Sequence, residues 1–324
     1  MIVFERRASA VLFNLLRSHP VEGPFLMPAN ICPIVPMVFF KAQRPFELID
    51  ISLDTLCMNH DAIIDRFSAP HSKPAGLIYA RTYGAIFETA DVFARIKSVS
   101  PDALIVDDRC LCRPAFSGAL ATHADVALYS TGYAKYVDIG VGGYGVLRDG
   151  IPYTHTKSAF KVEDLNEMTA LYKDALIEKA KISYQDSAWL DTAAPDEDWD
   201  SYQRQVEREC DRVSGMKTII NSIYSSRLPL EIQLPRAFQS WRFNIQVQDK
   251  EAVLNCIRRE GLFASGHYDS LAGVFGPGSA PAAQTLHRHV INLFNDRYFS
   301  LDQAVKLTDL LARSELLAPG LGYS

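Results

Sequence analysis

Four short apolar runs, at 24–27, 46–50, 76–80 and 103–107, alternate with helix-like stretches at about 8–18, 59–67 and 86–99. Strands buried on both faces read as continuous apolar runs, and parallel neighbours need a helical crossover between them. The alternation therefore predicts an α/β fold with a mostly parallel central sheet flanked by helices. Two further runs, VALYS at 126–130 and GYGVL at 143–147, add interior strands. Helical patterns follow at roughly 160–183 and 198–223, separated by the turn-rich, acidic DTAAPDEDWD at 191–200. Leu165, Met168, Leu171, Tyr172, Leu176 and Ile177 recur at helical spacing, which predicts a core-facing stripe. Beyond Pro229 and Pro235, SWRFNIQV, KEAVLNCIRREG, VINLF and LDQAVKLTDLLARS predict a smaller α+β unit. The expected division is a large α/β domain over 1–228, including the long helices, and a C-terminal domain over 229–324.

Composition narrows the function. A net charge of −5 and a pI near 5.9 give no electrostatic reason for nucleic acid or an anionic membrane as partner. The longest apolar run, ICPIVPMVFF at 31–40, holds two prolines and is far shorter than the roughly 18 residues a span requires. MIVFERR lacks a basic leader followed by an apolar stretch, so a cytoplasmic location is expected. Of the six cysteines only Cys110 and Cys112 are close. One C-x-C without a second pair or nearby histidines predicts free thiols and no metal.

The chemistry concentrates in one stretch. LIVDDRC at 104–110, STGYAK at 130–135 and GVGGYG at 140–145 lie within about 40 residues. A cofactor with an aldehyde, a phosphate and a pyridine nitrogen needs a lysine amine, small donors and a carboxylate, and all three types occur here. The pattern reads as a pyridoxal phosphate site, with Lys135 in the connection between two interior strands. Asp107 and Asp108 end an apolar strand, where neighbouring side chains point to opposite faces, so at most one meets the cofactor. Gly140, Gly142 and Gly145 fit G-x-G-x-x-G, but that dinucleotide pattern should follow a strand and open a helix. Here it runs into a strand and a turn, so the glycines are expected to let a ligand or a partner chain approach the backbone.

With these motifs in place, the chain resembles the DegT/DnrJ/EryC1/StrS family of sugar aminotransferases, of the aspartate aminotransferase-like fold type I. The family carries an acidic pair after a strand, a serine five residues before the Schiff-base lysine, and then Gly-x-Gly-Gly. The order here is Asp107-Asp108, Ser130, Lys135 and Gly140-Val141-Gly142-Gly143. FLMPANICPIVPMVFF, FELIDIS, LIYARTYGAIFE and GHYDSLAGVFG extend the similarity over most of the chain. The resemblance implies that Lys135 binds pyridoxal 5′-phosphate, Asp108 meets its pyridine nitrogen and Ser130 contacts its phosphate. It further implies an aminotransferase that moves an amino group from a donor, typically glutamate, to a nucleotide-linked keto sugar, and a homodimer. His267 and Tyr268 gain interest only from this match. The lysine has to shed its proton to act, and a neighbouring cationic or desolvated setting would lower its pKa toward neutrality.

The chain also departs from the pattern. The usual Gly-Thr-x-Ala start is FERRASAVLF, which leaves Ala8 and Ser9 as the phosphate contacts. The position of the ring-stacking aromatic falls near Cys32, Val141 stands for a glutamate, and the Gly-x-Asn-x-Arg stretch is missing. Two alternatives therefore stay open. One is another pyridoxal phosphate reaction such as sugar dehydration, although the family's dehydratases replace the lysine with histidine. The other is a non-catalytic or regulatory protein on the same fold.

Overall fold

The computed structural model describes residues 1–118, 120–314 and 316–321. The apolar runs form strands β2 (Phe25–Pro28), β3 (Phe46–Ile49), β4 (Gly76–Ala80), β5 (Leu104–Asp108), β6 (Val126–Ser130) and β7 (Gly143–Leu147). With β1 (Ile2–Glu5) they make one seven-stranded sheet in the order β1-β7-β6-β5-β4-β2-β3. The five strands from β6 to β3 are parallel, whereas β7 runs antiparallel to β6 and β1 antiparallel to β7.

Helices cover both faces. Apolar side chains of α1 (Ala8–Ser18), α2 (Ile34–Ala42) and α5 (Val162–Glu178) share one core with strand residues such as Met27, Ile78, Val106 and Leu128. On the other face, α3 (His60–Ser68) and α4 (Ala90–Val99) pack against Leu26, Leu77, Tyr79 and Ile105. Residues i and i+1 of a strand face opposite ways, so consecutive apolar residues fill both layers at once. The expected helix over 86–99 starts only at Ala90, because the Glu88 carboxylate accepts the Thr89 and Ala90 backbone N–H groups and caps it there. The stretch 160–183 is helical only as far as Glu178. Within its stripe, Met168 is buried and Leu165, Leu171, Tyr172 and Leu176 pack on the core, but Ile177 faces solvent at 80% exposure.

The C-terminal unit is an antiparallel sheet of β8 (Phe243–Gln246), β9 (Ala264–Gly266) and β10 (Val290–Leu293), in the order β8-β10-β9. Helices α7 (Lys250–Arg259) and α9 (Leu301–Arg313) pack on it, and α8 (Pro281–His289) leads into β10. The 29-residue α6 (Trp199–Arg227) joins the units: Tyr202, Val206 and Val213 pack beside Tyr129 and Tyr144, while Ile220 and Tyr224 belong to the C-terminal core.

The glycine stretch has a different task from the one expected. Gly142, at φ +93°, lies so close to Tyr202 and Thr131 that a Cβ would stand 2.5 and 2.6 Å from their side-chain atoms. At Gly143 a Cβ would meet the Ala8 nitrogen at 2.1 Å. These glycines let the chain's own α1 and α6 press against β7, and only Gly140 stands in open space.

Candidate active site

A cavity of about 630 Å³ lies where the parallel strands end, the position at which α/β sheets collect ligands. The residues given a cofactor role in the sequence reach it: Ala8 and Ser9 at the start of α1, Cys32 after β2, Asp108 ending β5, Ser130 ending β6, and Lys135 on the following loop. Asp107 does not. Its side chain is fully buried on the opposite side, where Arg81 Nε at 2.6 Å and Arg109 Nε at 2.8 Å bond its two oxygens.

Asp108 is 8% exposed and accepts the Cys110 backbone N–H at 2.9 Å. Burial pushes its carboxyl above the usual carboxylate value, against the pull of Cys110 and of the Lys135 charge. The expected lowering at Lys135 is not found. Burial does disfavour its charge, but Cys110, Cys32 and Asp108 outweigh that and hold the amine above the usual lysine value. The cause is the neighbourhood: the groups facing the amine are acids, not cations.

The sequence reading missed several lining residues. Arg7 extends from the residue before α1, and its Nη1 donates to the Gly140 carbonyl at 3.0 Å. Asn30 follows β2, Tyr172 comes from α5, and Trp241, Arg242, His267 and Asn292 form a wall contributed by the C-terminal unit. Arg242 is 1% exposed; its guanidinium lies 3.8 Å from the Phe294 ring centroid and pairs with Asp296. Apart from His267, which drew interest from the family resemblance, the only signal these residues carry in the sequence is their type, because elements far apart in the chain bring them together.

Pyridoxal phosphate fits this donor set. A lysine and a buried carboxylate face one cavity, and the first turn of α1, which holds no acid, supplies a helix N-terminus suited to a phosphate. Asn30 Nδ2, Arg242 Nε, His267 Nε2 and Asn292 Oδ1 have no protein partner among the described residues. All four residues line the cavity. Buried polar atoms without partners are rare in native proteins. Among the described residues no cluster of His, Cys, Asp and Glu could hold a metal ion, and no helix is long and apolar enough to cross a membrane.

The mostly parallel sheet with a small α+β unit beside it is a fold shared with solved aminotransferases. The chain superposes on a DegT DnrJ EryC1 StrS aminotransferase from Brucella abortus with a TM-score of 0.68 at 14% identity, covering 96% of this chain and 84% of that one. It is similar to DesI, solved in the presence of its TDP-sugar product, with a TM-score of 0.70 at 15% identity over 96% and 79% of the two chains. A sugar aminotransferase from Micromonospora echinospora gives 0.65 at 16% identity, over 96% and 86%. Comparison with protein-family models gives no match, and nor does comparison with curated proteins.

Proposed function

We propose that this protein is a pyridoxal phosphate-dependent aminotransferase that aminates a nucleotide-linked keto sugar, with an amino acid, glutamate by preference, as donor. The observation that carries the reading is the convergence of Lys135 and Asp108, but not Asp107, on one cavity of a fold shared with sugar aminotransferases. When bound, the cofactor supplies an electron sink for the carbon from which a proton is removed. Lys135 Nζ would hold the cofactor's aldehyde and, when free, would move the proton at the donor's α-carbon. Asp108 is in place to hold a proton at the pyridine nitrogen. A bound pyridinium would offset the burial that now raises its carboxyl. Ser130, Ser9 and the α1 backbone N–H groups would anchor the phosphate, with Ala8 leaving them room. Tyr172 and Tyr268 line the cavity together with Cys32, which cannot itself stack on a ring. The assembly we propose is a homodimer, and the location cytoplasmic.

Borohydride reduction of the cofactor-loaded protein, followed by peptide mapping, tests the assignment. The expected result is a pyridoxyl group on Lys135 alone. Label on another lysine, or none with cofactor in excess, would refute it.

A further inference from the structure

Among the described residues, Arg7, Arg81, Lys135 and Arg242 are the cationic side chains that line the cavity. Arg81 is neutralised by Asp107 and Arg242 by Asp296, while Lys135 is the amine assigned to the aldehyde. Arg7 remains, with no described carboxylate at ion-pair distance and no task in the reading above. Its backbone is extended, at φ −145° and ψ 144°, so its side chain and that of Arg6 leave on opposite sides. Arg6 pairs with Asp191 and Asp196. Arg7 turns to the cavity, where the bond from its Nη1 to the Gly140 carbonyl at 3.0 Å holds the guanidinium in place.

The backbone of Gly132 fixes where that guanidinium stands relative to Ser130. A Cβ placed on Gly132 would lie 3.5 Å from Arg7 Nη1 and 3.6 Å from Ser130 Oγ, and no other described atom outside the adjoining residues comes within 4 Å of that point. The two donors therefore lie within about 7 Å of each other across an open gap, which one phosphate bridges by accepting at about 2.8 Å through two of its oxygens. Ser130 accepts the Gly132 N–H at 3.4 Å, and its own proton has no acceptor among the described residues. Arg7 spends one N–H on Gly140 and keeps the rest of its planar fork for an anion. A phosphate monoester carries roughly two negative charges near pH 7, which a hydroxyl and backbone N–H groups cannot neutralise.

We propose that Arg7 binds the cofactor's phosphate together with Ser130 and supplies its countercharge. The inference rests on the pyridoxal phosphate reading and adds to it the residue that neutralises the phosphate.

Equilibrium dialysis of the wild type and its variants against pyridoxal 5′-phosphate, and against pyridoxal, which lacks the phosphate, isolates this contact. Arg7→Gln should bind pyridoxal 5′-phosphate about tenfold or more weakly, as for the loss of a charge-assisted hydrogen bond, and bind pyridoxal as the wild type does. Arg7→Lys, which keeps the charge without the fork, should recover part of the loss; it also serves if Arg7→Gln does not fold. Arg6→Gln, adjacent but turned away, should leave both affinities unchanged. Equal losses for the two pyridoxal forms, or none for either, overturn the proposal. Thymidine diphosphate, dialysed in the same way, should bind wild type and Arg7→Gln alike. A loss confined to it moves Arg7 to the diphosphate of the substrate and overturns the proposal as well. Lys135 labelled by borohydride, with equal losses, removes the role of Arg7 alone. Neither pyridoxal form bound by the wild type, with Lys135 unlabelled, removes the aminotransferase reading and this proposal together.

Discussion

Asp107 and Asp108 are adjacent in sequence, yet the strand places them in opposite roles. Asp107 neutralises Arg81 and Arg109 inside the protein. Removing one member of a buried charge cluster leaves the rest uncompensated, so Asp107→Asn should destabilise the fold by about 3–5 kcal/mol. Asp108 is the reverse case. Because burial raises its folded pKa, the folded chain holds a proton that the unfolded chain has already released, between the ordinary carboxylate value and the raised one. Across that window stability falls as pH rises. Asp108→Asn should therefore raise the melting temperature of the cofactor-free chain at pH 7 and flatten its fall with pH. The same change should cut half-transamination with glutamate by on the order of a hundredfold, since a neutral amide cannot hold the pyridinium charge. Urea melts across pH and single-turnover spectra read the two effects, and loss of half-transamination in Asp107→Asn alone would reverse the assignment. Lys135, Asp108 and Ser130 were legible in the sequence because the cofactor's chemistry restricts residue type at close spacing. Arg7 and Asn30, which also line the cavity, were not legible, because no motif at close spacing marks them and only the folded chain brings them there.

At the scale of elements, the strands from β2 to β7 were readable because buried parallel strands leave continuous apolar runs. The three-residue β9 and helix α8 have no such run, whereas the edge strand β1 carries a short one, IVF at 2–4. The helical pattern at roughly 198–223 became α6, whose consequence is chemical as well as architectural. It carries Lys217, 3% exposed, which donates to the Trp241 carbonyl at 2.6 Å and to Asn295 Oδ1 at 2.8 Å. Burial pushes this amine down to about 7, with the nearby Arg242 charge adding to the effect. A lysine lowered on folding binds fewer protons than in the unfolded chain between about pH 7 and its usual value of 10.5, so stability rises with pH over that window. Lys217→Met should remove that rise, a difference of a few kcal/mol between the two ends of the window. Denaturant unfolding of both proteins at pH 7 and pH 9.5 measures it, and identical slopes would show that the amine is not titrating there.

For the whole molecule, the alternation of elements conveyed the parallel sheet but not its antiparallel end, since β6 and β7 leave the same apolar signature in either direction. It also gave no hint that one wall of the cavity comes from the C-terminal unit, because contacts between distant segments leave no local pattern. The surface around the cavity bears on assembly. The loop that carries Lys135 exposes Tyr133 at 80%, and Val141 at 43% follows Gly140, where nothing crowds the backbone. In the homodimer we propose, a twofold pair being the commonest form of soluble oligomer, the partner chain would cover these side chains. Light scattering at micromolar concentration should therefore give twice the 36.1 kDa chain mass. Val141→Arg, which forces a cation into that contact, should shift the mass toward one chain and weaken cofactor retention with it. A wild type that scatters as a single chain would exclude the dimer. A dimer untouched by Val141→Arg would keep the pairing and move its surface away from the Lys135 loop.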